Sequence, residues 1–172
     1  MIIKKIGHYS RFEELKQQVL ELVNTVMERN HISLQYDALT GDNSWLNAYG
    51  EDKTRRERSF NQLQPQLKDT EIDRMFLSLG FNISRTRIFA LDPNTIGYTV
   101  HRDTTARIHI PIVTAEEARF YSYEPDEQCC DFMPADGSIY YVDTTKHHTF
   151  KNLSPITRIH IVGCYYGTDI WN

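Results

Sequence analysis

Phe12, Leu15, Val19, Leu22, Val23 and Val26 recur at helical spacing and predict an amphipathic helix from Ser10 to about Arg29, with Ser10 as cap and Glu13 three residues on. In "HISLQYDA", Ile32, Leu34 and Tyr36 alternate with polar neighbours, the pattern of a half-buried strand. Gly41 to Gln66 is polar and rich in Asn and Arg, and reads as a long irregular segment, either a binding loop or lid or a surface excursion. Ile72, Met75, Phe76 and Leu79 form the stripe of a second helix over Asp69 to Leu79, stopped by Gly80. From Ser84 the period changes to short β-like runs: "TRIFAL", "GYTVH", "ARIHIPIV", "ARFYSY", "QCCDFM", "SIYYV", "HTFKN" and "ITRIHIVGCYY". Turn signals such as "DPN", "ADG" and "LSP" separate them. Regularly spaced short strands predict a sandwich or barrel. The expected class is therefore mainly β with N-terminal helices, built as one domain over 1–172 in which 1–83 packs on a β core at 84–166.

Length and composition fit that picture. A chain of 172 residues, 40% of them hydrophobic, supports one domain with a sizeable core. A formal charge of −4 and a pI near 6.0 leave no electrostatic footprint for nucleic acid, since the basic cluster Lys53 to Arg58 is interleaved with acidic residues. No apolar run approaches the roughly 18 residues of a membrane span, and "MIIKKIGHYS" lacks the features of a signal peptide, so no membrane partner and a cytoplasmic, uncleaved chain are expected. Of the three cysteines two are adjacent, Cys129 and Cys130, which predicts reduced thiols; no CxxC spacing points to zinc.

The chemistry lies in "GYTVHRDTTARIHIPI", where ionisable groups crowd a run otherwise written as buried strand. Read as strand, His101 and Asp103 present an imidazole and a carboxylate to one side. A third metal ligand is on offer in "TTKHHTF", where His147 and His148 must face opposite ways and one can turn inward. Two imidazoles and one carboxylate, with other positions open, form the ligand set of non-haem Fe(II) oxygenases. Arg158 stands ten residues after His148, in a strand whose Ile159 and Ile161 read as buried on the other face. A guanidinium directed inward needs an anion, which a dicarboxylate co-substrate supplies; on the solvent face of an edge strand it would need none.

"HRDTTARIHIPIVT" followed by "MPADGSIYYVDTTKHHTFKNLSPITRIHIVG" resembles the aspartyl/asparaginyl β-hydroxylase family of Fe(II)/2-oxoglutarate-dependent oxygenases, which are double-stranded β-helix (jelly-roll or cupin-like) proteins. The resemblance covers roughly 85–166 and is loose before that. It implies that His101, Asp103 and His148 ligate iron, His148 being at the family's distance before the arginine. It implies that Arg158 pairs with the C5 carboxylate of 2-oxoglutarate and that His109 helps hold its other end. Arg107 matches an arginine that contacts substrate in the animal peptide hydroxylases. For His109 a satisfied core histidine, and for Arg107 a salt bridge at the barrel rim, are the competing structural roles. The animal enzymes have glycine where this chain has Asp103, so here it is similar to the bacterial members, which include free-proline hydroxylases and membrane-anchored lipid A hydroxylases.

The implied activity is hydroxylation of an unactivated carbon of an amino acid, amino-acid derivative or peptide residue. Dioxygen is consumed and 2-oxoglutarate becomes succinate and CO2. The alternative is a non-catalytic cupin-like domain that binds a metal or small ligand, for which an inward Arg158 has no use. Among the remaining polar residues, His160 shares Arg158's face and could orient its neighbours. His147 reads as an exposed neighbour of the ligand, and Tyr98, Tyr140 and Tyr141 as strand residues.

Overall fold

The computed structural model describes residues 2–47 and 57–167. It is mainly β, with antiparallel sheets and, among the described residues, two α-helices, an arrangement consistent with a β-sandwich. The strands are β1 (Ile3–His8), β2 (His31–Ser33), β3 (Gln35–Asp37), β4 (Phe60–Leu63), β5 (Ser84–Leu91), β6 (Thr95–Ile96), β7 (Ala106–Val113), β8 (Ala118–Glu124), β9 (Glu127–Phe132), β10 (Ser138–Val142), β11 (His148–Asn152) and β12 (Arg158–Tyr165). The helices are α1 (Phe12–Val26) and α2 (Glu71–Ser78). A six-stranded sheet runs β1-β10-β7-β12-β5-β2, a four-stranded sheet β6-β11-β8-β9, and β3 pairs with β4.

The six-stranded sheet has two different faces because β7, β12 and β5 alternate. Ile108, Ile110, Ile112, Ile159, Ile161 and Ile88, all almost wholly buried, point to the side where Leu15 and Val19 of α1 and Ile72 and Met75 of α2 join them in the main core. Each such side chain contributes roughly 1.5–3 kcal/mol by leaving water. The other face looks toward the four-stranded sheet. There Phe150 of β11 approaches the rings of His109 (5.2 Å) and His160 (6.5 Å), and a smaller core gathers Ile2, Phe120, Met133, Tyr140 and Val142. The polar positions of β7 and β12 thus lie between two sheets.

Several elements depart from the sequence pattern. α1 begins at Phe12 with Arg11 at its cap and no capping side chain, so Ser10 does not cap it. It ends at Val26, since beyond Met27 no apolar residue remains to bury on that stripe. "HISLQYDA" is two short strands in different sheets, almost wholly buried rather than half-buried. The stretch before α1 forms β1, which joins β10 at the sheet edge. The Gly41 to Gln66 segment contains β4, and Trp45 packs partly buried against the main core; the stretch 48–56, with most of the basic cluster, lies outside the described residues. Gly137, in the "ADG" turn, has φ +88°, and Gly80 beyond α2 has φ +69°. The three cysteines are free thiols. Among the described residues no helix is long and apolar enough to cross a membrane.

Candidate metal centre

"GYTVH" is not a strand. The chain leaves β6 after Ile96 and bends through Tyr98, Thr99 and Val100, with Tyr98 and Val100 half-exposed. His101 is held instead by one reciprocal pair of backbone hydrogen bonds with His148 at the start of β11: each amide N–H donates to the other's carbonyl, at 3.1 and 2.9 Å. The Thr149 hydroxyl donates to the Tyr98 carbonyl (2.5 Å), the Asp103 amide to the Thr144 carbonyl (2.8 Å), and the Thr144 hydroxyl to the Thr105 carbonyl (2.7 Å). Two segments at least 39 residues apart are thus clamped together by backbone and threonine hydrogen bonds, which leaves the ligand side chains free to converge.

They converge on one point. His101, Asp103 and His148 each bring a ligand-type atom into a group no more than 4.8 Å across. Asp103 Oδ1 is 4.0 Å from His101 Nε2, and Oδ2 is 3.9 Å from His148 Nε2. Nδ1 of His101 lies 2.8 Å from the Thr99 carbonyl, and Nδ1 of His148 lies 2.8 Å from the Lys146 carbonyl. A carbonyl only accepts, so each Nδ1 carries the proton and each Nε2 presents a lone pair. Two lone pairs and a carboxylate facing one another repel unless a cation lies between them. Metal bonds of about 2.0–2.2 Å at right angles to tetrahedral angles set ligand atoms roughly 3–3.5 Å apart, so this triad needs only a small contraction to chelate. Phe120 stacks on the His148 ring (5.3 Å), and burial keeps this imidazole's pKa below its ordinary value against the opposing pull of the Lys146 carbonyl and Asp103, favouring the neutral ligand form. The adjacent His147 turns outward, where Glu124 (3.1 Å) and Arg102 (3.0 Å) take it up.

Behind the triad lies a buried group of one cation and two imidazoles. Arg158, 1% exposed, donates from Nη2 to His160 Nδ1 (2.7 Å) and lies over the Phe150 ring at 4.1 Å. Among the described residues no carboxylate pairs with it, its Nε has no partner, and burial lowers its pKa to about 9. His109 Nδ1 is 3.4 Å from His160 Nδ1, and both Nε2 atoms are buried without a partner. Burial first, then the Arg158 charge, holds both imidazoles neutral. A protein seldom leaves so many polar atoms orphaned in its interior; an anion with several acceptor oxygens answers the N–H groups of Arg158 and His160. Asn152 steadies the turn that delivers Arg158, its amide donating to the carbonyls of Leu91, Asp92 and Ile156 at 2.8–3.0 Å.

Arg107 has a different environment. It is buried, and it is paired with Glu57 (3.1 Å) and with Asp103 (3.2 Å), with the Thr105 hydroxyl as a further close partner. Glu57 also takes Arg85 (2.9 Å), Thr105 (3.1 Å) and the Tyr166 hydroxyl (3.1 Å). Burial pushes the Glu57 carboxyl up, yet Arg107 and Arg85 outweigh it and hold it at about 2. Arg107 therefore braces Asp103, in the geometry of the rim salt bridge.

The structure brings together four of the six candidate residues at or beside the triad, His101, Asp103, His148 and Arg107, and groups the other two, Arg158 and His109, with His160. Tyr98 is a half-exposed residue of the bend, Tyr141 faces the helices and Tyr140 the smaller core. Sequence reading missed Glu57, for which the chain carries no local signal.

No family model matches the chain, and no curated protein matches it. Solved structures do share its fold. EvdMO1 superposes with TM-score 0.58 at 12% identity over 96% of this chain, which spans about half (48%) of that protein. An oxidoreductase of the 2OG-Fe(II) oxygenase family from Burkholderia pseudomallei has TM-score 0.52 and 15% identity, over 87% of this chain and 76% of that one. AviO1 from Streptomyces viridochromogenes Tue57 has TM-score 0.50 and 11% identity, over 98% and 90%. At these identities the likeness is one of fold.

Proposed function

We propose that this chain is an Fe(II)/2-oxoglutarate-dependent dioxygenase. It hydroxylates an unactivated carbon of an amino acid, amino-acid derivative or peptide residue, and it converts 2-oxoglutarate to succinate and CO2. The observation that carries this is the joint arrangement of the His101–Asp103–His148 triad and a buried guanidinium, Arg158, with no counter-charge among the described residues. One fold neighbour being a 2OG-Fe(II) oxygenase supports it. On this reading the two facing sheets are a double-stranded β-helix, and the motif resemblance carries the finer assignment to the aspartyl/asparaginyl β-hydroxylase family.

His101, Asp103 and His148 would hold the iron, which when bound supplies the activation of dioxygen. The chain's own contribution is positional. Lys146 and Thr99 carbonyls orient the two imidazoles, and Arg107 pairs with Asp103 and holds its carboxylate in place beside them. Arg158 binds the C5 carboxylate of 2-oxoglutarate in a site dry enough for one charge pair to be strong, with His109 nearby for the remaining oxygens. Phe120 and Phe150 exclude water from that end.

The test is anaerobic addition of Fe(II) and 2-oxoglutarate, watching for the weak visible metal-to-ligand charge-transfer band in wild type, His148→Ala and Arg158→Ala. A band that requires His148 and weakens without Arg158 is the expected result, followed by a screen of amino acids for succinate release. No band in folded, iron-loaded wild type would overturn the reading in favour of a non-catalytic binding domain.

A further inference from the structure

Three arginines stand on the face of the six-stranded sheet that looks toward the four-stranded one: Arg87 on β5, Arg107 on β7 and Arg158 on β12. Arg87 is set there by register. It pairs opposite Val162, which pairs on its other side opposite His109, and its neighbour Ile88 points into the helix-side core. Their counter-charges differ. Arg107 is neutralised by Glu57 and Asp103, and Arg85, two residues before Arg87, shares Glu57. Arg158 awaits a carboxylate of the co-substrate. The Arg87 side chain has no hydrogen bond or ion pair among the described residues, and the charges acting most on it are the cations Arg85 and Arg107. The residue is partly exposed, although its guanidinium is closely surrounded by protein.

Two residues on along β5 is Phe89, on the same face of the sheet. Tyr98 stacks on Phe89 (6.0 Å, 22° between planes) and meets the His101 ring edge-on at 5.7 Å. An aromatic wall thus runs from the triad toward Arg87. The cation sits two strands from His109, on the order of 10 Å, which is the length of a small organic molecule. An uncompensated cation at the end of an apolar wall is what recognises an acid with an apolar body.

The geometry points to Arg87 as the specificity-determining anchor for an anionic group on the primary substrate, a carboxylate or a similar two-oxygen anion. The substrate's apolar body lies along Phe89 and Tyr98, and the carbon to be oxidised lies toward the triad. This rests on the dioxygenase reading and gives it a substrate class: one guanidinium for the co-substrate, one for the substrate. The two acids are kept apart because Arg158 is almost wholly buried while Arg87 is partly exposed.

The experiment loads the protein with Zn(II), saturates it with 2-oxoglutarate, and measures by ligand-observed NMR the dissociation constants of three acids and their amides: phenylacetate, hexanoate and N-acetylphenylalanine. Wild type, Arg87→Gln and Arg87→Lys are compared. At least one acid should bind wild type ten-fold or more tightly than its amide. That preference should fall below two-fold in Arg87→Gln and persist in part in Arg87→Lys, with 2-oxoglutarate affinity changed less than two-fold in both. Acids binding no better than amides in wild type would overturn the assignment, as would a ten-fold loss of 2-oxoglutarate in Arg87→Gln with its melting temperature intact, which would make Arg87 a co-substrate residue. If Arg87→Gln is not folded, Arg87→Lys decides: retained acid preference supports the anchor and its loss refutes it. Wild type that fails to bind 2-oxoglutarate refutes the dioxygenase reading itself, and the anchor falls with it.

Discussion

Replacing Arg158 with methionine separates what a buried charge does for the fold from what it does for a ligand. Lowering this guanidinium's pKa from its ordinary value to about 9 corresponds to on the order of 5 kcal/mol of unfavourable burial at neutral pH. Against that stand a hydrogen bond to His160 and the contact with the Phe150 face, together about 2–3 kcal/mol. Methionine fills most of the same space without the charge, so the ligand-free variant should be more stable than wild type by about 2 kcal/mol. Known replacements of buried ionic groups by apolar ones gain roughly 1–4 kcal/mol. In a domain of this size that is a rise in melting temperature of about 4–8 °C. The ligand response should move the other way. With Zn(II) in the site and 2-oxoglutarate at a hundred times its Kd, wild type gains about 2.7 kcal/mol, roughly 5–10 °C, and the variant gains nothing. Differential scanning fluorimetry of both proteins with and without 2-oxoglutarate reads both effects. A variant less stable than ligand-free wild type would mean that Arg158 already has its counter-charge within the protein. The case for an anion site behind the triad would then fail.

Three further outcomes follow from the same contacts. Glu57→Gln leaves Arg107 and Arg85 with fewer counter-charges and should cost about 3 kcal/mol in urea denaturation, and adding Arg107→Met should restore part of the loss because the orphaned cation is gone. Stability should fall as pH drops from about 6.5 toward 4. Burial, and then Arg87, Arg85 and Arg29, hold His31 at about 4 against an ordinary 6.5, so the unfolded chain binds the proton first. His31 alone then withdraws up to about 3 kcal/mol by pH 4, with His109 and His160 acting in the same direction, and a flat stability profile across that range would count against buried neutral imidazoles. Gly137→Ala would force a side chain into a positive-φ turn with its Cβ 2.8 Å from the Tyr9 carbonyl and 3.1 Å from Phe12 Cβ, costing about 2–4 kcal/mol and roughly 4–16 °C in melting temperature.

Much of this molecule is written locally. The stripe Phe12, Leu15, Val19 determines a helix and the face it buries, and the alternation in "ARIHIPIV" and "ITRIHIVG" determines that Arg107, His109, Arg158 and His160 oppose the isoleucines. A period of 3.6 or of 2 is a property of the backbone, and each residue's side is settled by its immediate neighbours. The types of residue able to form a metal centre were legible for the same reason. The tertiary structure alone decided that His101 is held from a bend by β11 and that "HISLQYDA" divides between two sheets. It alone decided that Glu57 cancels Arg107 while Arg158 and Arg87 are left without a carboxylate among the described residues. Those outcomes depend on which distant strand pairs where and on which charge comes within reach of which. Both are fixed by packing across the whole chain, since the energy of a buried charge depends on everything that surrounds it and on nothing that merely precedes it in sequence.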